Sequence, residues 1–313
     1  MKRRTPLIVP VERSKKFVLA KFDYFLEVHL LPIQNLLNPR RWLENFRKSE
    51  MDHAVHLLNA FLYYSEVLVD EMFVSSIHDL SNVVRPPDSS YSNALKIWQS
   101  FMDEVIITYV PEEIPRTIDK GIGYAKKAQH LLSIPKERIL SPEDALRKIC
   151  TRPLRKVIFV DDLVDTGVPF KKIWKRKIKL DNNLTVSFED ISHEQVCNFF
   201  YCPLICTEEG KAHIERHCAG IIFRPVHLLP PDYSVLAEDS IIWPPHLLPT
   251  AIDFLKTVSK RAGIPDSNGL EVNDWRGFGK LGLTVAFAHA IPDATLPIFS
   301  WNENGWKPLV QKK

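Results

Sequence analysis

The chain has 313 residues, 45% hydrophobic and 25% charged, which are globular proportions and exclude a largely disordered protein. A net charge of +3 gives no case for a protein that works chiefly on nucleic acid or acidic membranes. The length allows one large domain with additions, or two domains, and 23 prolines against 11 glycines point to rigid loops.

Residues 1–40 offer only short apolar pieces, broken by Pro32 and Pro39. Over residues 41–73, Trp42 and Phe46 predict a short helix. Ala54, Leu57, Leu58, Phe61, Leu62, Leu68, Val69, Met72 and Phe73 then show three- and four-residue spacing, the stripe of one amphipathic helix. Pro86, Pro87 and neighbouring serines mark a loop, and residues 94–102 can be helical. Val105-Ile106-Ile107-Thr108-Tyr109-Val110 reads as a strand from its β-branched content. Residues 119–132 read as a helix, Ile139-Leu140 as a short strand, and Ser141-Pro142-Glu143-Asp144 as a capped helix start. Val157-Ile158-Phe159-Val160 is a buried strand that ends where two acids begin. Beyond it lie a helix at 170–176, a polar loop or hairpin at 180–190, and a short helix at 192–197. A strand over 199–206 comes after them, its Pro203 implying a bulge or an edge position. A helix over 211–217 and a strand within 219–226 come next. The alternation predicts a parallel α/β sheet. After Pro225 the prolines crowd. A helix over 247–261 ends at Gly263, a C′ glycine, residues 281–288 look sheet-like, and Trp301 and Trp306 close an aromatic, loop-rich tail. The expected divisions are a helical part at 1–100, an α/β core at 101–226 and a C-terminal extension at 227–313.

The chemistry concentrates at Val157-Ile158-Phe159-Val160-Asp161-Asp162-Leu163-Val164-Asp165-Thr166-Gly167-Val168-Pro169. A strand, an acidic edge, a tight glycine turn and a helix start make a phosphosugar site. Amides at a helix N-terminus face a phosphate, while carboxylates hold hydroxyls or a hard cation.

This stretch resembles the ribose-phosphate signature of type I phosphoribosyltransferases. More of the chain resembles the phosphoribosyltransferase-like domain found in bacterial conflict and antiviral defence systems. That likeness is carried by Arg41-Trp42-Leu43, the segment from Leu57-Leu58 to Tyr63-Tyr64-Ser65, and Cys206-Thr207-Glu208-Glu209-Gly210. It continues from Pro292-Asp293-Ala294-Thr295 through Trp301 to Trp306-Lys307-Pro308-Leu309, so that it covers residues 41–310. The resemblance implies an α/β fold with an open parallel sheet, helices on both faces, and the ligand beyond the carboxyl ends of the strands. It implies that Asp161 and Asp162 hold the ribose hydroxyls of phosphoribosyl pyrophosphate or a nucleotide, directly or through Mg²⁺. Thr166, Gly167, Val168 and Pro169 would wrap the phosphate, and Asp165 would face the base as general acid or base. Pro169 departs from the signature, which usually ends in Thr or Ser, and so removes a hydroxyl and an amide from the cradle.

Thr207, Glu208 and Glu209 come directly after a predicted strand and border the same crevice. Arg116 and Lys120 come after the strand at 105–110 and could hold pyrophosphate. No recognisable pyrophosphate loop accompanies them. Lys171, Lys172, Lys175, Arg176, Lys177 and Lys179 fit either phosphate or nucleic-acid attraction, or a solvated helix face. Cys197, Cys202, Cys206, His213, His217 and Cys218 match no closed structural zinc site. The five cysteines, Cys150 included, are odd in number and set in apolar surroundings, as reduced thiols in a cytoplasmic protein would be. No apolar run reaches the roughly 18 residues of a membrane span. The N-terminus is basic, but Pro6, Pro10, Glu12 and Arg13 interrupt the apolar residues next to it. The expected function is making or breaking an N-glycosidic bond as an antiviral effector with a defence-system protein partner. The alternative is a non-catalytic nucleotide sensor or regulatory partner on the same fold.

Overall fold

The structure is a computed structural model. It describes residues 10–32, 36–111, 120–151, 155–180, 183–194 and 197–311. Among them, no helix is long and apolar enough to cross a membrane. In chain order, helices α1 (Val11–Glu27), α2 (Pro39–Leu43) and α3 (Met51–Asn59) precede strand β1 (Leu62–Tyr64). Long helices α4 (Glu66–Val84) and α5 (Tyr91–Glu104) lead to β2 (Val105–Tyr109). Then come α6 (Lys120–Ala125), α7 (Lys127–Leu132) and α8 (Pro142–Thr151), before β3 (Arg155–Val164) and α9 (Val168–Lys175). Next are the ribbon β4 (Ile178–Lys179) and β5 (Thr185–Val186), helix α10 (Phe188–His193), strand β6 (Cys197–Thr207) and α11 (Glu208–His217). Short strands β7 (Ile221–Phe223) and β8 (His227–Leu229), helix α12 (Ala251–Ala262) and β9 (Val285–Phe287) complete the series.

The chain forms two compact units. One joins Met1–Glu66 to Pro230–Lys313, and the other is Val67–Leu229. In the first unit the two ends of the chain share one core. Leu62, Tyr63 and Tyr64 of β1 pair in parallel with Val285, Ala286 and Phe287 of β9. Trp42 Nε1 and Trp306 Nε1 both donate to the carbonyl of Ile298 at 3.0 Å, and Trp42 stacks on Phe299 with centroids 5.5 Å apart. Trp301 Nε1 donates to Ala262 O at 2.8 Å. Trp301 and Trp306 are therefore packing residues of the tail.

The single helix expected across residues 54–73 is instead two helices separated by β1. Helical spacing of the apolar residues is correct on either side of the break. What overrides it is the pairing with β9, opened by the amide of Leu62 donating to Thr284 O at 2.8 Å.

The second unit contains the expected parallel α/β sheet, open and with the strand order β2-β3-β6-β7, with β8 also paired to β6. Alternation along the strands sends Ile106, Val157, Phe159, Phe199 and Tyr201 into one core with residues of α8, α9, α10 and α11. On the opposite face, Phe101 of α5 meets Phe200 edge-on at 5.4 Å. Helices thus cover both faces, which is why β3 and β6 read as near-continuous apolar runs. Ile139 adds a single bridge to Ile107 at the edge of β2.

Two expectations are corrected at the centre of this sheet. β3 does not stop before the acids, because Leu163 and Val164 continue it and pair with Ile205 and Cys206. Pro203 lies in a central strand, between β3 on one side and β7 and β8 on the other. It is tolerated because the pairs there are interrupted. β7 ends opposite Tyr201 and β8 begins opposite Ile205, which leaves Pro203 between the two outer ladders.

Candidate functional site

The carboxyl end of β3 brings together most of the residues singled out in the motif. Asp161 accepts the hydroxyl of Tyr201, one strand away on β6, on Oδ2 at 2.8 Å. Its Oδ1 accepts the amide of Asp162 at 2.9 Å. A carboxylate offers about four lone-pair positions, so roughly two remain for a ligand. Burial pushes the Asp161 carboxyl well above the usual carboxylate range. The neighbouring charge of Asp162 adds to this and that of Asp165 adds less, while the Tyr201 hydroxyl and the Asp162 amide pull the other way. Tyr201 is held well above the ordinary tyrosine range by burial and by Asp161, so it remains a proton donor. Tyr124 of α6 is likewise raised, by burial first and then by Asp162 and Asp161. These shifts describe several carboxylates crowded at one strand end, the charge distribution that a divalent cation or a set of sugar hydroxyls would relieve.

Tyr201 also fixes the next helix after β3. Its ring stacks on Phe170 at 4.1 Å, with the planes 15° apart, and Phe170 lies in the first turn of α9. One side chain thereby sets both the acid and the helix start against the same strand.

The turn between them is shaped by its own side chains. The amide of Thr166 donates to Asp165 Oδ1, and the Thr166 hydroxyl reaches the same oxygen at 3.3 Å. Gly167 is the N-cap of α9 at φ +71°, the left-handed region that glycine tolerates best. It could not be otherwise, because a Cβ there would lie 2.8 Å from the carbonyl of Gly210. The contact is reciprocal. A Cβ on Gly210 would lie 2.6 Å from the carbonyl of Asp165. Two glycines thus let the turn and the first turn of α11 approach backbone to backbone.

Thr207 locks that approach. Its hydroxyl donates to the carbonyl of Asp165 and accepts the amide of Gly210 at 2.9 Å, capping α11. Thr207 is therefore the clamp of the turn, a role its sequence position beyond a strand does not reveal. Glu208 and Glu209 are exposed in the first turn of α11, where negative charge favours the helix dipole. His213 lies behind the turn. Its pKa is lowered by burial and by Lys171 and Arg216, and its Nε2 is buried with no hydrogen-bond partner among the described residues.

Pro169 occupies the second helical position of α9. The first N–H groups of a helix lack intrahelical partners and face outward. Pro169 therefore does not disturb the helix, but it leaves Val168 and Phe170 as the amides on either side of a gap. The Val168 amide also reaches the Thr166 hydroxyl, at 3.4 Å.

Arg116 lies outside the described residues. Lys120 opens α6, and its side chain is likewise outside them. The basic run is largely engaged locally: Lys175 pairs with Glu189 at 2.9 Å, Arg176 with Glu143, and Lys177 with Asp190 at 3.9 Å. These pairs lower the positive field the run would otherwise present. A family model described as PRTase-CE matches residues 39–312. No curated protein matches the chain.

Two outcomes test this site. Replacing Thr207 by Val removes the clamp and the cap together, and it should cost about 1–2 kcal/mol in thermal or denaturant unfolding, whereas Thr207→Ser should retain most of the stability. Equal losses in both variants would contradict the hydroxyl's role. Asp161→Asn removes a charge that burial disfavours. Because the folded pKa is raised, ionisation of Asp161 erodes stability as pH climbs from the unfolded value of about 3.9 through the folded one. The variant should therefore gain in melting temperature relative to wild type as pH rises. A constant difference across pH would show that Asp161 is not the titrating group.

Proposed function

The chain belongs to the PRTase-CE family, and from that premise we propose that it binds phosphoribosyl pyrophosphate or a nucleotide at the end of β3 and makes or breaks an N-glycosidic bond. The observation that carries the reading is the arrangement of Asp161, Asp162 and Asp165 on one strand end and turn, directly before a glycine-capped helix start. Carboxylates are good acceptors for vicinal ribose hydroxyls, and the opening amides of α9 are good donors to a phosphate.

The donor set suits Mg²⁺: crowded aspartate oxygens are hard ligands, and the pKa of Asp161 is raised by burial first and by the neighbouring charge of Asp162 next. Asp162 and the remaining lone pairs of Asp161 would hold it. When bound, the ion would neutralise pyrophosphate charge and orient the ribose hydroxyls. The protein does the rest. Tyr201 holds Asp161 in place through its hydrogen bond, so that reorganisation on binding is small. The carboxylate of Asp162 faces a sugar whose anomeric carbon becomes cationic in the transition state, where negative charge stabilises it. Thr166 and the amides of Gly167, Val168 and Phe170 receive the phosphate. Asp165, whose Oδ1 already folds the turn, is the candidate acid or base for the group attached to the sugar.

We assign this activity to antiviral defence in the cytoplasm, with a defence-system protein as partner, on the strength of the resemblance to domains of conflict systems. Pro169 supports a second reading, a nucleotide sensor without turnover, because the phosphate cradle has one amide fewer than a helix start normally offers.

Calorimetric titration with phosphoribosyl pyrophosphate should show Mg²⁺-dependent binding that Asp162→Asn reduces by at least about a hundredfold, roughly 2.7 kcal/mol. Unchanged affinity in the variant would rule the site out. Release of pyrophosphate or of a free base distinguishes the enzyme from the sensor.

A further inference from the structure

At the other end of the same sheet, the amino-terminal ends of β3, β6 and β7 open on a cavity of about 550 Å³. Its walls come from the end of α4, the middle of α5 and these three strands. The register sets Lys156 beside Asn198 and Phe200 beside Ile222. Alternation turns these side chains to the α5 face, away from Phe159 and Tyr201. The floor is apolar. Phe101 and Phe200 are both buried and meet edge to face at 5.4 Å, and Ile97 and Ile222 extend it.

The polar atoms around that floor carry one sign. Lys96 and Lys156 supply two ammonium groups, and Ser100 and Asn198 supply neutral hydrogen-bonding groups. Among the described residues, none of the lining is acidic. Lys156 Nζ stands 5.6 Å from the centroid of the Phe101 ring and donates to Glu104 Oε2 at 2.7 Å. Glu104 lies outside the lining, and its side chain is 47% exposed. A pair this open to solvent is worth only about 0.2–1 kcal/mol, so an anion entering the cavity can take over the Lys156 ammonium at little cost. Volume, apolar floor and a few convergent polar groups are the attributes of a small-molecule site.

We propose that this cavity binds a small amphiphilic carboxylate, its aryl or acyl body against Phe101 and Phe200 and its carboxylate between Lys96 and Lys156. Among the described residues the lining offers two point-charge ammonium groups and no arginine fork, which suits a monoanion better than a phosphate, and the floor requires hydrocarbon. The cavity is distinct from the acidic strand end. Lys156 and Asp161 lie five positions apart on β3, about 17 Å along an extended strand. The proposal therefore stands whether or not the ribose-phosphate reading does.

Titration of the full chain with phenylbutyrate and with phenylbutylamine tests it, since the two share a body and differ in charge. One phenylbutyrate should bind per chain, and the amine should bind at least about tenfold more weakly. Lys96 is exposed, so Lys96→Glu should leave the melting temperature unchanged while weakening the carboxylate about tenfold. Glu104→Gln should tighten it about threefold by releasing Lys156, a gain that a merely structural pair would not produce. Equal binding of acid and amine, no binding of phenylbutyrate to the wild type, or a loss of affinity in Glu104→Gln would overturn the proposal.

Discussion

The hydrogen bond from Tyr201 to Asp161 is the contact on which the site depends. It holds a carboxylate that its surroundings otherwise oppose, since burial and the charges of Asp162 and Asp165 all act against ionisation of Asp161. A protein selected only for stability would replace such a group with an apolar one. Its presence at a strand end of a parallel sheet, next to two further acids, is what motivates the proposed phosphosugar site. The same tyrosine stacks on Phe170. The position of the acid and the direction of the helix that would receive phosphate are therefore set by one residue.

The second constraint is the closeness of the turn to α11. Asp165, Gly167, Thr207 and Gly210 form an interlocked set in which each carbonyl or hydroxyl fits only because the facing residue has no Cβ or has a hydroxyl to give. A turn held in this way costs little to organise when a ligand arrives. Pro203 contributes in a different manner. It lies opposite Asp161 on β3 and between the end of β7 and the start of β8, so its missing amide falls where the outer ladder changes strands.

Much of this was legible in the amino-acid sequence. The β-branched run before Asp161, the acidic pair, the Asp165-Thr166-Gly167 turn and the alternation of strands and helices come from local residue chemistry, and the structure has them. So do the helix start at Ser141, whose hydroxyl accepts the Asp144 amide at 3.1 Å, and the end of α12 at Gly263, at φ +77°. The illegible part depends on partners distant in sequence. Leu62-Tyr63-Tyr64 carry helical spacing yet form a strand, because Val285 to Phe287 pair with them from the far end of the chain. Tyr201 reads as one more apolar strand residue until the register sets it beside the acids. Thr207 reads as a residue that borders the crevice beyond a strand, and only the approach of two glycines makes it a cap and a clamp. Local pattern specifies elements, and pairing specifies which of their side chains meet.

The most direct test of the central claim is amide hydrogen exchange over residues 165–171, with and without ribose 5-phosphate and Mg²⁺. If the strand end and the start of α9 form a phosphosugar site, exchange at Thr166, Gly167, Val168, Phe170 and Lys171 slows on addition of the ligand, and the slowing is lost in Asp162→Asn. Protection confined to other segments, or protection here that persists in Asp162→Asn, would contradict it.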